Sequence, residues 1–328
     1  MASDLSGLTI KDEHLRRALE GQEYLLVDGA MGTQMQERGL DALEAVPELL
    51  CKTHAHDIAA IHTAYIAAGA EVITTNTFSA NRLKLGDKMS VEEAYQLAAD
   101  CARAAGAPYI AGDIGPTGSL LEPMGTLSFD EAYGIFAEQV RAAVAAGCDI
   151  ILIETMADLR EAKAALLAAR ENSTLPVFVT MTFGEDGRTF LGTTPEIAAE
   201  VLSSLGAQAV GFNCSLGPAE LVGAAHAMAS RVRCPLMAQP NAGLPHMENG
   251  ETVFDVGPEE FARAMGPLLD SGASIVGGCC GTAPRSIELL SKELASRGKP
   301  TPRAFKPACV LASAQEAVVL EKGKHAVA

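Results

Sequence analysis

A chain of 328 residues, 48% of them hydrophobic, has the material for one large core or two modest ones, which excludes an unstructured polymer. Asp and Glu outnumber Lys and Arg by 41 to 25, and the net charge of −16 repels phosphate backbones and anionic bilayers, so no nucleic acid and no membrane is expected as a partner. No apolar run reaches the roughly 18 residues that span a bilayer, and the opening MASDLSGLTIKDEHLRRALEG lacks the basic-then-apolar order of a secretion signal. The expectation is a cytoplasmic protein whose cysteines stay reduced.

Residues 1–20 read as a leading helix able to cover one end of the domain after it. From residue 21, short β-branched runs alternate with longer alanine-rich amphipathic stretches, the pattern of parallel strands joined by crossover helices. Strand-like runs fall at 24–30, 71–78, 109–115, 149–156, 176–183, 209–215, 235–241 and 274–280. Helix-like stretches fall at 57–69, 92–105, 130–146, 158–171, 195–205, 218–229, 258–270 and 284–296. Ser128, Thr194-Pro195, Gly217-Pro218, Gly257-Pro258 and Ala283-Pro284 suit helix starts, and glycines 69, 106, 147, 206 and 272 suit helix ends. Eight such units predict an α/β fold, a closed (β/α)8 TIM barrel over 21–297, in preference to an open doubly wound sheet. Residues 298–328, with Pro300, Pro302 and Pro307, fall outside the repeat as a C-terminal tail or linker.

A barrel's chemistry gathers at the carboxyl ends of its strands. Here those ends carry Asp28, Asn76, Asp113, Glu154, Thr182, Asn213-Cys214, Asn241 and Cys279-Cys280. The sixth and eighth strands end in cysteine and flank the seventh, about 10 Å apart by strand spacing, so their thiols can share a metal. Three thiolates with a fourth position open is the donor set of a catalytic zinc site. Cys51, Cys101, Cys148, Cys234 and Cys309 read as small buried or tail residues. A vicinal disulfide competes with metal binding at Cys279-Cys280, and the residues alone leave both readings standing. His54 and His56, near Cys51, read as a surface helix entry and not as ligands.

The stretches VDGAMGTQMQERG (27–39), TTNTFSANRLKL (74–85), GDIGPTG (112–118), IETMADLREAKAALLAAR (153–170), GFNCSLGP (211–218), QPNAGLPHMENGETVF (239–254) and GGCCGTAP (277–284) resemble the homocysteine S-methyltransferases. They occur in order and cover roughly residues 20–297. CSLGP and PNAGLP…NGET are similar to the homocysteine-binding module of the cobalamin-dependent methionine synthases.

The resemblance implies a zinc-containing barrel in which Cys214, Cys279 and Cys280 hold Zn2+ and activate the thiol of homocysteine. It places Asp28 and Glu154 near the substrate ammonium. The loop Gly29, Ala30, Met31, Gly32 and Thr33 is expected to offer backbone N–H groups to the substrate carboxylate. Asn76 and Asn213 are expected to support substrate binding, with Asp113 beside them, and Asn241 to be a resting fourth ligand. The implied donor is methylcobalamin on a separate corrinoid protein or a further synthase module. S-methylmethionine or betaine is the alternative donor, and a non-enzymatic zinc or thiol barrel serving a methyltransferase complex is the alternative of another class.

Overall fold

Alternation along each strand sorts the apolar residues into two cores. In the computed structural model, which describes residues 5–40, 46–248, 251–303, 305–306 and 309–320, Ile150 and Leu152 point inward with Leu25, Val72, Tyr109, Phe178, Met237 and Ile275. Ile151 and Ile153 point outward against the helices. Strands apolar on both faces are what a parallel sheet covered by helices requires.

The strands are β1 (Leu25–Leu26), β2 (Val72–Thr74), β3 (Tyr109–Ile114), β4 (Ile150–Met156), β5 (Val177–Met181), β6 (Ala209–Asn213) and β7 (Leu236–Gln239). An antiparallel hairpin, β8 (Pro245–Glu248) and β9 (Glu251–Phe254), stands outside the barrel before the eighth barrel strand, β10 (Ala273–Val276). The barrel strands pair in parallel in the order β1-β10-β7-β6-β5-β4-β3-β2, and a parallel bridge between Val27 and Val72 joins the two ends. The predicted TIM barrel is therefore present. Each strand is shorter than its apolar run, so the reactive residues lie on or just past the strand ends.

The helices are α1 (Glu13–Leu19), α2 (Met31–Glu37), α3 (Leu50–Thr53), α4 (Ala55–Ala67), α5 (Arg82–Leu85), α6 (Val91–Ala104), α7 (Phe129–Ala145), α8 (Leu159–Asn172), α9 (Pro195–Ser204), α10 (Val222–Ala229), α11 (Pro258–Ala264), α12 (Gly266–Asp270) and α13 (Pro284–Arg297). The helix expected over 258–270 breaks into two, because Pro267 has no N–H to continue the ladder. Ser128 accepts from Glu131 N at 3.2 Å while Glu131 accepts from Ser128 N at 3.0 Å, a reciprocal cap on α7. Glycines 69, 106, 147, 206 and 272 all have φ between 77° and 102°, the left-handed turn from helix to strand.

The leading helix is only seven residues long, starting where Asp12 accepts from Leu15 N at 2.9 Å. It buries Leu15, Ala18 and Leu19 against the inner core and so covers the barrel floor. In the tail, β11 (Cys309–Ala312) and β12 (Ala317–Leu320) form a hairpin that accepts a hydrogen bond from Thr193 Oγ1 at Ala314 O, 2.6 Å. Residues 1–4 of the expected helix, and 304, 307–308 (with Pro307) and 321–328 of the expected tail, lie outside the described residues. Among the described residues, no helix is long and apolar enough to cross a membrane.

Candidate functional site

Just beyond β6 the chain makes a left-handed turn. Cys214 has φ 60° and Ser215 φ 64°, a region that costs an L residue of order 1–2 kcal/mol and persists only where surroundings enforce it. Gln239 O accepts from Cys214 N at 3.1 Å and Cys214 O from Leu216 N at 2.8 Å, which hold the turn. Its effect is to aim the Cys214 sulfur at Cys280 Sγ, 3.9 Å away.

Adjacent residues of a regular strand point to opposite faces, so Cys279 and Cys280 need an irregular backbone to converge. A Cβ at Gly278 would lie 2.4 Å from Thr282 Oγ1, so only glycine lets the chain fold this tightly. Thr282 Oγ1 donates to Cys279 O at 2.6 Å and accepts from Ala30 N at 3.1 Å, tying the cysteine loop to the loop after β1. Tyr65 on α4 donates to Ala30 O at 2.8 Å from behind.

The three sulfurs lie within 4.8 Å of one another, and among the described residues no other cluster has metal-ligand geometry. The Cys279 and Cys280 sulfurs are 4.0 Å apart, about twice a disulfide bond length, so this is a dithiol and not a vicinal disulfide. Hydrogen bonds from Cys279 and Cys280 hold Cys214 far below the usual thiol range, at about 3, while the same contacts push Cys279 well up and Cys280 up to about 12. One proton leaves readily and the next two are held back by the charge already present, a conflict that a divalent cation resolves. Asn241 lies against Cys214, and its Oδ1 is buried without a hydrogen-bond partner. Three soft sulfurs and one uncommitted oxygen fit zinc.

The thiols form one side of a cavity of about 480 Å³ at the barrel mouth, whose walls include Asp28 to Thr33, Asn76, Asp113 and Glu154. Its acids are strongly perturbed. Burial pushes Asp28 up to about 7, against two hydrogen bonds of 2.8 Å from Thr74 N and Oγ1. Burial, then the neighbouring Cys214 and Asp28, push Glu154 up to about 8. Asp113 is driven well above the carboxylate range by burial and by Glu154 and Asp28, and its Oδ1 is buried without a partner. No Lys, Arg or His lines the cavity among the described residues, so it is short of positive charge.

Of the residues singled out in the sequence, the three cysteines, Asp28, the 29–33 loop, Asn76 and Glu154 come together on this cavity. Asn213 and Asn241 do not line it; they stand behind Glu154 and Cys214. His56 is exposed and His54 bonds Thr53 Oγ1 at 2.9 Å, both on the flank. Sequence reasoning missed Glu48, which lines the cavity with Oε2 unpartnered and Oε1 accepting from Ser79 N at 2.6 Å. It also missed Tyr65 and Thr282. Only Thr282 carried a signal, its place two residues after the cysteine pair.

The family model described as homocysteine S-methyltransferase matches residues 25–294. The chain belongs to the homocysteine S-methyltransferase family. It is thus a methyltransferase enzyme or enzyme module whose family methylates homocysteine. A methionine synthase of Mycobacterium tuberculosis (strain ATCC 25618 / H37Rv) is 32% identical over 319 residues, 89% of this chain and 27% of that protein. One from Mycobacterium leprae (strain TN) is 32% identical over 296 residues, 84% of this chain and 24% of that protein. The chain spans about a quarter of the length of these relatives. The oxidized form of the homocysteine methyltransferase MmuM from Escherichia coli superposes with TM-score 0.73 at 22% identity, over 86% of this chain and 100% of that one. Its metallated form gives 0.70 at 23%, over 86% and 100%. At that identity the likeness speaks for the barrel fold of the family.

Proposed function

We propose that the barrel, taken as residues 21–297 with the 298–328 tail as a connection, transfers a methyl group to the sulfur of homocysteine to give methionine. The observation that carries this reading is the meeting of three convergent thiols and a cation-poor acidic cavity in one barrel mouth. Cys214, Cys279 and Cys280 hold Zn2+, with the Asn241 amide oxygen as the resting fourth ligand. When bound, zinc supplies the field that keeps a substrate thiol deprotonated at neutral pH.

The remaining work belongs to the protein's own groups. Asp28 and Glu154 take the α-ammonium of homocysteine, which brings the positive charge the cavity lacks and lets both acids ionise. The N–H groups of Met31, Gly32 and Thr33 open α2 without helical partners and receive the carboxylate. Ala30 N is already committed to Thr282, and Thr33 Oγ1 is buried and free to donate. Asn76 closes the wall beside them. So fixed, the sulfur attacks the methyl carbon in line: a C–S bond forms as the donor's bond to methyl breaks, and the thiol proton leaves to solvent.

For the donor we favour methylcobalamin carried by a corrinoid protein or a further synthase module, supported by the similarity to methionine synthases four times longer than this match. The test supplies homocysteine with methylcobalamin, S-methylmethionine or betaine in turn, before and after chelation. Zinc-dependent methionine formation with methylcobalamin is expected. Turnover with a small sulfonium or betaine at a comparable rate overturns the donor assignment, and zinc binding without homocysteine binding overturns the enzymatic one.

A further inference from the structure

On the barrel's flank, α3 and α6 bring two more cysteines together. Cys51 on α3 and Cys101 on α6 are 1% and 4% exposed, and Cys101 Sγ lies 3.9 Å from Cys51 O. The Cys101 thiol thus points at the Cys51 backbone, and each thiol shifts the other's titration, Cys51 up and Cys101 down. They form the floor of an outward-facing groove of about 630 Å³, which the small side chains Ala55, Ala59 and Ala60 of α4 and Ala104 of α6 leave open. Exposed His56 and Asp100 stand at its rim.

Behind this pair lies the barrel mouth. Asn76 Nδ2 sits 3.7 Å from Cys51 Sγ and donates to Pro47 O at 2.9 Å, and Asn76, Pro47 and Glu48 all line the cavity. One thiol pair thus lies buried beneath a solvent-open groove on one side and against the wall of the cavity on the other.

We infer that Cys51 and Cys101 are a redox-modification site, closing to a disulfide when a small peroxide enters the groove. Cys101 attacks first, because it is the more exposed of the two, 4% against 1%, and so meets the peroxide at the groove floor. Its sulfur bonds one peroxide oxygen as the O–O bond breaks and water leaves, giving the sulfenic acid. Cys51 sulfur then displaces the hydroxyl of that sulfenic acid, its own proton leaving with the hydroxyl as a second water. The balance is two thiols and one hydrogen peroxide to one disulfide and two waters; the sulfurs lose two electrons and the peroxide gains them. Closing to a bond of about 2.05 Å draws the Cys51 sulfur off Asn76 and braces α3 against α6, so the cavity wall at Pro47–Glu48 shifts.

The inference does not depend on the function proposed above, because its readout is covalent. The full chain, loaded with zinc, is treated with hydrogen peroxide at slight molar excess, alkylated, and digested with trypsin without reduction. The expected result is tryptic peptides 39–52 and 89–103 joined by a disulfide, with the loss of two free thiols, both reversed by dithiothreitol. In Cys101→Ser the crosslink is absent and Cys51 stays alkylatable. Recovery of the two peptides separately, each alkylated, at a dose that already oxidises Cys214, Cys279, Cys280 or Cys309 overturns the inference. So does a sulfinic acid at Cys101 that never links to Cys51.

Discussion

The Asn213 amide donates to Glu154 Oε2 at 2.9 Å, and its other hydrogen goes to Thr155 Oγ1 at 2.7 Å. Its oxygen accepts from Thr155 N and Thr180 Oγ1, both at 2.8 Å, so the amide has all its bonds made. Asn213 therefore acts on a ligand mainly through Glu154, whose carboxyl it holds toward the cavity, and its Nδ2 also lies 3.9 Å from Cys279 Sγ. Asn213→Ala leaves these buried partners unmet, at about 1–3 kcal/mol. The homocysteine KM is expected to rise roughly 10- to 100-fold with zinc content unchanged. An unaltered KM in a folded variant removes the positioning role.

Asp28 makes stability depend on pH in an unusual direction. Its acid form is favoured in the folded protein, about 7 against 3.8 in an unfolded chain, so folding takes up a proton between those values and stability is lost as pH rises through them. With the group fully recessed, the penalty at pH 8 is on the order of 4 kcal/mol. Asp28→Asn, which cannot ionise, should match wild type near pH 4 and exceed its melting temperature increasingly up to pH 8, while losing homocysteine affinity. Melting curves of ligand-free protein at four pH values check this; a constant offset between the two proteins contradicts it.

The fold was legible because its signals are local: period-two alternation, glycine at helix-to-strand turns and proline at helix starts each act within a few residues. The metal site was half legible. Cys214 stands at a strand end in the sequence, yet its sulfur reaches Cys280 only through a left-handed φ that no residue type there announces. Asn213 was expected to support substrate binding, and its place behind Glu154 is set by Thr155 and Thr180, which take up its amide oxygen. Glu48 was illegible for a different reason. It reaches the cavity through contacts made across the fold, its carboxyl to Ser79 N and its neighbour Pro47 O to Asn76, and neither has a signature along the chain.

His62 on α4 is fully buried with neither ring nitrogen bonded, and burial alone lowers it to about 4. The neutral ring is stable above pH 6.5; as pH falls toward 4 the unfolded chain protonates and the folded one does not, so stability is lost over that window. The loss amounts to roughly 3 kcal/mol. His62→Leu removes both the dependence and an unsatisfied polar group, and should raise stability at pH 5 by about 1–3 kcal/mol with a smaller gain at pH 7.5. Urea titrations at the two pH values measure it, and a gain that is equal or larger at pH 7.5 refutes the account.

Metal removal tests the site most directly. Chelation is expected to abolish homocysteine binding, and stoichiometric zinc to restore it, whereas Cys309→Ser, on the exposed tail hairpin, should change neither. Cys280→Ser should lose both binding and metal, because two thiols and an amide cannot match three thiolates for a soft cation. Asn241 separates ligand from bystander. Its Oδ1 is buried and unpaired while its amide N–H faces Cys214, so an apolar replacement relieves an unsatisfied oxygen and leaves the fold intact. If that oxygen ligates zinc, Asn241→Ala binds the metal about ten-fold more weakly or worse while X-ray absorption still counts three sulfurs. Unchanged zinc affinity in that variant would falsify the assignment and leave the fourth position to water.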